Sequence, residues 1–506
     1  MNISEPLPFR VKLCFGIGAV GEAIYFAIFI GFITIFYNQA IGLSNYLIGI
    51  ATMLAVITDA VTDPFIGMVS DEHRSRLGRR HPFLWAAPIP LAISIFAIFN
   101  PPDALVGNEV GLFLWLAVWT ILSRAFVTLF NVPHLALGAE LSRQHHERSQ
   151  LFSANAMFSY MAASGFGFVA WTLFQGDRVR ASDGATVPGQ LDPAAYVPLV
   201  MVVCAVVLVS IFVCALGTQD YGKKLPLRTG PKTRFTLRFF FGSLFRTLKN
   251  RNNLILLCGL FCFMIASGIY DKMNVFVQTY LWQLEPNQIR LFPLVGVVAG
   301  LTGAILAPIL MKKFDRKPVM LCSLFGVGLF AQLVVDLRLL GILPENGDPL
   351  LLRCLLANAA GFSLSVGMCL VAVMSMIGDV IDENELITGL REEGLFYSAR
   401  AIFGKGSYSV ATLFAGMMLD FYVRLPEAAI PGELEQDVLT RLAITAGPIM
   451  GISAFISVGV YSLYNLNRAR HAEILAEIEA RKIEVRKIEA RKAEGPSGSS
   501  SEVFAS

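Results

Sequence analysis

Two aspartates lie within a stretch of sequence that is apolar enough to cross a membrane. Asp59 and Asp63 are four residues apart, so a helix places both carboxylates on one face, one turn apart. An ionisable side chain at the centre of a bilayer costs about 2.5–3.5 kcal/mol, and like charges so close together repel each other. The pair therefore needs a proton, a bound cation or a basic partner.

The residues around the pair favour a cation. Thr62 supplies a hydroxyl, and Pro64, which has no amide hydrogen, leaves the carbonyl of Ala60 free in the same turn. Oxygen ligands suit a hard ion such as sodium, whereas a soft metal would call for Cys or His. We predict a coupling cation at Asp59 and Asp63, either Na+, Li+ or H+, and no other cofactor. The alternative is that both aspartates pair with a basic residue purely for packing.

Other polar residues within apolar runs are candidates for binding a solute. Lys405 lies in the middle of a run and is the candidate partner for the aspartates, so it would hold an empty cation site together. The candidates for the solute site are Lys405, Asn131, Glu22 and Arg124. We expect the adjacent Asp271 and Lys272 to neutralise each other near the edge of a span.

The composition is that of a membrane protein. Of the 506 residues, 55% are hydrophobic and 16% are charged, well below the quarter that is usual in soluble domains. With 41 basic against 38 acidic residues there is no basic excess, which argues against a nucleic-acid partner. The sequence contains no GxxxxGK[ST], HExxH or GxSxG motif. The chain is therefore predicted to be a secondary transporter and not an enzyme.

Twelve apolar runs are long enough to be membrane helices. They lie near residues 13–37, 46–70, 83–100, 110–141, 151–174, 195–217, 253–284, 288–311, 318–341, 350–378, 395–423 and 440–465. Of the 41 Lys and Arg residues, 30 fall at the termini and in one alternating set of loops, and only seven in the other set. Positive loops remain cytoplasmic, so both termini are predicted to be cytoplasmic, in a plasma membrane or bacterial inner membrane.

A long loop divides the runs six and six. We expect an N-terminal half (1–217), a cytoplasmic central loop (218–252), a C-terminal half (253–465) and a charged tail (466–506). Two six-helix halves indicate a transporter that works by alternating access. The repeat IEARK-IEVRK-IEARK in the tail predicts a solvated helix, followed by a disordered end.

Opposite charges occur in two cytoplasmic loops, one in each half, and would form a gate when the solute cavity faces outward. Isolated surface ion pairs contribute about 0–1 kcal/mol, so only a network would bias the equilibrium. The alternative is that these residues only set the topology. The predicted gate residues are Asp71, Arg79, Arg80, Asp379, Asp382, Glu385 and Arg391.

Three segments carry a resemblance to a known family. They are TDAVTDPFIGMVSDEHRSRLGRRHPF (58–83), VTLFNVPHLAL (127–137) and GDVIDENELITGLREEGLFYSARAIFGKG (378–406). In them the chain resembles the glycoside–pentoside–hexuronide:cation symporters of the major facilitator superfamily. The resemblance implies the all-α major facilitator fold with twelve transmembrane helices. It also implies a cation site at Asp59, Asp63 and Thr128, with Lys405 as the family's lysine of the eleventh helix.

The family resemblance implies a sugar or glycoside as the solute. The acidic residues that grip sugar hydroxyls in the melibiose carrier are replaced here by Ala23, with Glu22 beside it, and by Asn131. An amphipathic solute such as a lysophospholipid, carried by a related vertebrate branch, is therefore an alternative. A non-transporting receptor or assembly factor is an alternative of another class. The expected partners are a small-molecule solute, a coupling cation and the lipid bilayer, and we expect a monomer.

Overall fold

The computed structural model describes residues 7–142, 145–179, 184, 186–223, 247–389 and 392–493. Thirteen long helices account for most of these residues. They are α1 (Phe9–Ala40), α2 (Asn45–Glu72), α3 (His81–Ile98), α4 (Glu109–Leu141), α5 (His145–Leu173), α6 (Tyr196–Gly222), α7 (Arg251–Leu281), α8 (Leu291–Phe314), α9 (Arg316–Leu339), α10 (Pro349–Thr388), α11 (Glu393–Met417), α12 (Gln436–Ser462) and α13 (Arg468–Ala493).

The first twelve helices correspond to the twelve predicted runs. Eleven of them are long and apolar enough to cross a membrane. The remaining one, α11, carries Arg400 and Lys405 among its apolar residues, and continues through a π-helical turn over Met418–Val423. The two described strands, Asp177–Val179 and Thr186–Pro188, form a short ribbon between α5 and α6. The predicted all-α class is confirmed.

The helices pack as two bundles with the same internal pattern. In the first half α1 packs against α5 and α6, α2 against α4, and α3 against α4 and α6. In the second half α7 packs in the same way against α11 and α12, α8 against α10, and α9 against α10 and α12. Such repetition is the arrangement of a major facilitator fold, whose halves are parallel repeats. The halves meet through α2 with α11, α5 with α8, and α1 with α7.

We call the end of the bundle that holds both termini the termini side and the opposite end the far side. On the far side, hydrogen bonds join the two halves. The Asp420 carboxylate in the π-helical turn after α11 accepts from the side chain of Asn45 and from the amide of Tyr46, each at 2.7 Å. The Tyr280 hydroxyl of α7 donates to Gln39 Oε1 of α1 at 2.7 Å. The far side is thus closed by contacts between the halves.

Glycines allow α2 and α11 to cross closely near the far side. A Cβ atom on Gly49 would lie 2.9 Å from Leu413 Cα, and one on Gly416 would collide with the backbone carbonyl of Asn45. Small residues at such crossings let backbones approach each other within a membrane. Without them the far-side hydrogen bonds of Asp420 would be out of reach.

The structure describes only part of the predicted central loop and of the predicted tail. Most of the predicted central loop, residues 224–246, lies outside the described residues, as does the end of the tail, residues 494–506. Within the repeat predicted to be a solvated helix (478–492), Ile478 is buried and residues 479–484 are exposed. Ile474, which precedes the repeat, is also buried, and α13 packs against α10. The apolar residues at these two positions, four apart, form one face of the helix.

Candidate transport site

The Asp63 carboxylate lies between a hydroxyl and an ammonium group. Thr128 of α4 donates to Asp63 Oδ1 at 2.9 Å, and Lys405 Nζ of α11 lies 2.6 Å from Asp63 Oδ2. Lys405 is also 3.5 Å from Asp59 Oδ2. The side chains of Asp63 and Lys405 are 33% and 43% exposed, so this pair is open to a cavity. The structure therefore brings together Asp59, Asp63, Thr128 and Lys405, which the sequence had placed in one site.

The second carboxylate has a different partner. Asp59 forms a two-pronged ion pair with the guanidinium of Arg124, and both side chains are almost completely buried. The Arg124 guanidinium also lies 5.1 Å from the centre of the Phe26 ring. Arg124 had been predicted to bind solute, and its pairing with Asp59 was not foreseen. In this conformation two cations, Arg124 and Lys405, balance the two aspartates.

The remaining candidates lie around this centre. The Asn131 side chain donates to the Glu22 carboxylate, which links α4 to α1 within the first half. The Thr62 hydroxyl, a predicted cation ligand, is buried and has no hydrogen-bond partner among the described residues. Within the same residues no three His, Cys, Asp or Glu side chains are grouped to hold a metal ion. Any cation here would depend on two carboxylates and on hydroxyl oxygens, a donor set that fits a hard ion.

Two cavities meet at Lys405. The central cavity has a volume of about 300 Å³ and lies between the halves. Its walls come from α1, α2, α4, α7 and α11, and the lining residues include Phe29, Thr52, Arg124 and Lys272. The cleft, of about 530 Å³, lies between α2 and α11 and is lined by Asp63 and by mostly apolar residues. Both volumes fall within the range of small-molecule sites, about 300–1,000 Å³.

The charges of Asp271 and Lys272 interact, as predicted, but the two side chains form no close ion pair. The Asp271 carboxylate accepts a hydrogen bond from the Tyr408 hydroxyl at 3.1 Å, whereas Lys272 Nζ donates to Thr34 Oγ1 at 2.5 Å. Consecutive residues of a helix point in different directions, so adjacency in sequence does not produce an ion pair. Lys272 is only 5% exposed and lines the central cavity.

The predicted gate residues of the first half form a cluster within that half. Arg79 Nη2 lies 2.8 Å from Glu140 Oε2, and Arg80 Nη2 lies 2.7 Å from Glu140 Oε1. Arg80 also pairs with Asp71. The partner missing from the sequence prediction is Glu140 at the end of α4, which the loop can reach only because α2 and α4 pack together.

The gate residues of the second half pair with α9 and with the tail helix. Ion pairs there join Arg316 to Asp379 at 2.7 Å and Lys482 to Glu385 at 2.8 Å, and a hydrogen bond joins His471 Nε2 and Asp382 Oδ2 at 3.0 Å. Arg391 lies outside the described residues. Among the described residues, no ion pair joins the two loops in this conformation, and the gate residues of each loop have partners in their own half.

Comparison with known protein families shows to which class of protein the chain belongs. A family model described as "MFS/sugar transport protein" matches residues 14–468, which is most of the chain. The chain belongs to the MFS/sugar transport protein family. This family confirms the predicted relationship to the glycoside–pentoside–hexuronide:cation symporters. The protein is a multi-pass membrane transporter of a small molecule and not an enzyme.

Relatives in the MFS/sugar transport protein family align with the chain over nearly its whole length. The raffinose carrier protein of Pediococcus pentosaceus is 22% identical, with 92% of this chain and 71% of that protein covered. The glucuronide carrier protein homolog of Escherichia coli is also 22% identical, with 95% and 97% covered. The inward open conformation of the xylose transporter XylE from E. coli has a TM-score of 0.57 at 16% identity, with 93% and 99% covered. At this identity the structural match shows the fold alone.

Proposed function

We propose that this chain is a cation-coupled symporter of a sugar or glycoside, with Na+ or H+ as the coupling ion, bound at Asp59, Asp63 and Thr128. The similarity to carriers named for raffinose and glucuronides supports a sugar-type solute. The excess of basic residues in one set of loops supports cytoplasmic termini in a plasma membrane. With the far side closed between the halves, the conformation is then inward-facing.

The observation that carries this proposal is the position of Lys405. Its ammonium lies within 3.5 Å of both aspartates, where a coupling cation would be bound. Because a cation and an ammonium compete for the same carboxylate oxygens, binding of the ion releases Lys405 into the cavity. A lysine side chain is long and flexible and its ammonium carries three donors, so the released group can bind solute hydroxyls. Ion binding and solute binding are coupled in this way.

The available free energy is sufficient for accumulation of a solute. One positive charge that moves through ~100 mV releases about 2.3 kcal/mol, and a tenfold ion gradient adds about 1.4 kcal/mol. Together they correspond to accumulation of several hundredfold. The opposing cost is the ion pair between Lys405 and Asp63, which is partly exposed and therefore weak enough to be exchanged.

The proposal is tested by ion-dependent stabilisation of the purified protein, which requires no knowledge of the solute. A ligand that binds the folded state raises the unfolding midpoint with its concentration. We expect NaCl, or a lower pH if the ion is a proton, to raise the midpoint relative to KCl at equal ionic strength. Asp63→Asn removes one carboxylate and should abolish this response.

The matched control is Asp336→Asn, which changes a carboxylate in α9, outside the site. This variant should respond to the ion as the wild type does. An unchanged ion response in Asp63→Asn would contradict the cation site. A wild-type protein that responds neither to Na+ nor to pH would contradict cation coupling at this site.

A second candidate solute is an amphipathic molecule such as a lysophospholipid. The observation in its favour is the cleft between α2 and α11, whose apolar lining includes Ile57 and Val410, both exposed on the outer surface of the helices. An acyl chain would fit beside them while a head group meets Lys405. Addition of lysophosphatidylcholine should then raise the unfolding midpoint more than any sugar does, and the reverse order would support a sugar.

A further inference from the structure

The two aspartates of the transport site differ in how completely they are occupied. Arg124 Nε donates to Asp59 Oδ1 at 3.3 Å and Nη2 pairs with Asp59 Oδ2, so both oxygens of this carboxylate contact one guanidinium. Asp59 is 3% exposed and Arg124 is 5% exposed. The Asp63 side chain is 33% exposed, and its oxygens contact a neutral hydroxyl and the ammonium of Lys405. Asp63 is therefore the more accessible of the two carboxylates to a mobile ion.

The guanidinium of Arg124 is a permanent positive charge at Asp59. An arginine keeps its proton in proteins, and its planar fork matches a carboxylate through two hydrogen bonds. The guanidinium lies 5.1 Å from the centre of the Phe26 ring of α1, and among the described residues it forms an ion pair with no other carboxylate. Loss of Asp59 as its partner would leave a buried charge unpaired within the membrane, which is strongly unfavourable.

Lys405 is easier to displace than Arg124. Its ammonium is a point charge at the end of a flexible chain, its side chain is 43% exposed, and it lies 2.6 Å from Asp63 Oδ2 and 3.5 Å from Asp59 Oδ2. A displaced ammonium can turn into the cavity, where water and solute meet its donors. A mobile cation that enters the site therefore replaces Lys405 and leaves Arg124 on Asp59.

Sodium would find only one free carboxylate in this site. A hard cation is held by several oxygens at once, with carboxylates among them. With Asp59 held by Arg124, the side-chain oxygens that remain are those of Asp63 and the hydroxyls of Thr62 and Thr128. The charges lead to the same conclusion. Two basic residues already balance the two aspartates, so a sodium ion would be a third positive charge beside two negative ones.

We propose that Arg124 is a tethered cation that occupies Asp59 in place of sodium, so that Arg124 determines the ion specificity of the site and the chain does not couple transport to sodium. The inference rests on the proposed symport function and narrows its coupling ion, since of Na+ and H+ it excludes the first. A variant without the guanidinium has both carboxylates available, and with them a site that sodium can occupy.

The experiment measures the thermal unfolding midpoint of the purified full-length chain in NaCl and in KCl, at equal ionic strength and constant pH. A ligand of the folded state raises the midpoint with its concentration. The wild type should have the same midpoint in both salts. Arg124→Gln should have a lower midpoint than the wild type in KCl, because Asp59 loses its buried partner, and NaCl should raise this midpoint. Calorimetry should show that this variant binds sodium about 10- to 100-fold more tightly than the wild type, as expected for one additional charged ligand.

Further variants test whether sodium uses the carboxylate that Arg124 releases. Asp59→Asn in the Arg124→Gln background should abolish the sodium response, because only Asp63 keeps its charge. Arg124→Lys keeps a positive charge beside Asp59 and should remain insensitive to sodium. The control Arg338→Gln removes an arginine near the end of α9 that binds oxygens of Pro344 and Asn346, outside the site, and should show no sodium response.

The outcomes distinguish this inference from the proposed function. If NaCl stabilises the wild type relative to KCl, the inference is refuted while a cation-coupled symporter remains supported. A folded Arg124→Gln variant that does not respond to sodium, or that still responds after Asp59→Asn, refutes it as well. If Arg124→Gln does not fold, the wild type and Arg124→Lys decide, because a sodium response in either one overturns the inference. If the wild type responds neither to sodium nor to pH, the proposed function is contradicted, whereas a sodium response of Arg124→Gln still supports the role of Arg124.

Discussion

The two ends of the bundle are held together in opposite ways. On the far side, Asp420 of the second half caps α2 of the first half, and Tyr280 donates to Gln39 across the same boundary. On the termini side, the ion pairs among the described residues remain within one half, as between Arg80 and Glu140 and between Arg316 and Asp379. Among the described residues, hydrogen bonds between the halves therefore close the boundary on the far side, and no ion pair does so on the termini side.

This difference shows which contacts a change of conformation has to break. Alternating access moves one half against the other around a central site. Contacts between the halves on the far side must break for the cavity to open there, whereas the clusters within each half can remain intact. The pairs Arg80–Glu140 and Arg316–Asp379 occupy equivalent positions, since α4 and α10 correspond in the two bundles. They stabilise each half as a body that moves as a unit.

The largest effect is expected when a cluster within one half is broken. Arg80→Gln removes the buried guanidinium that pairs with Asp71 and Glu140, although Glu140 keeps Arg79, and loss of one partner of a buried pair costs up to about 3–5 kcal/mol. We expect a lower midpoint of thermal unfolding in detergent, with no opening of the far side. Arg76→Gln in the same loop, where the side chain is exposed, is the control. An unchanged midpoint for Arg80→Gln would show that the cluster does not hold the half together.

A somewhat smaller effect is expected at the boundary between the halves. Asp420→Ala removes two hydrogen bonds to a charged acceptor, about 1.5–3 kcal/mol, and with them the cap on α2. The far-side-open population should rise about 10- to 100-fold. It is measured as labelling of Thr52→Cys, in the central cavity, by an impermeant maleimide in a variant without the native cysteines.

Glu433→Gln, an exposed far-side residue, is the control for this measurement and should not change labelling. Equal labelling with and without Asp420 would mean that the hydrogen bonds across the boundary do not keep the far side closed. A large fall in the unfolding midpoint of Asp420→Ala would place this residue with the contacts that hold a half together.

The smallest effect concerns pH at the far side. Burial raises the pKa of Glu427, and the nearby carboxylates of Glu109 and Asp420 raise it further. Glu109 belongs to the first half and Glu427 to the second, so closure of the far side brings the two carboxylates together. The pKa of Glu427 then rises further, and the protein takes up a proton. The closed state should gain stability as the pH falls through the raised pKa and lose it as the pH rises, by up to about fivefold in population. Because the reactive thiolate itself increases with pH, labelling of the Thr52→Cys reporter is divided by that of the same reporter in Glu427→Gln at each pH, and this ratio should increase between pH 5 and pH 8.

Much of the fold could be predicted from the sequence because membrane helices are long runs of one composition. The twelve runs matched the helices, and α11 was found by its length although Arg400 and Lys405 reduce its apolar character. The cap on α2 could not be predicted, because Asp420 acts on a helix about 375 residues earlier in the chain. The burial of Ile474 and Ile478 was likewise hidden in a strongly charged helix.

For the site, residue spacing within one helix was a reliable guide, whereas contacts between different helices were predicted only in part. The four-residue interval placed Asp59 and Asp63 together, and the basic residue in α11 was correctly matched to them. The rotation of the helices against each other decides which carboxylate Arg124 reaches. It also decides that Lys272 contacts Thr34 while Asp271 contacts Tyr408. A single sequence contains no direct record of that rotation.

The tail helix has a consequence for biosynthesis. Arg468 binds the end of α8 through the carbonyl oxygens of Met311 and Lys312, and Lys482 binds the end of α10. These contacts use residues that the ribosome adds after every membrane helix, whereas the first half has all its helices much earlier in translation. Until these residues are made, the second half therefore lies in the bilayer without these contacts at the ends of α8 and α10. Chains that terminate early, before residue 468, should be recognised and degraded more readily than full-length ones, although every membrane helix is present.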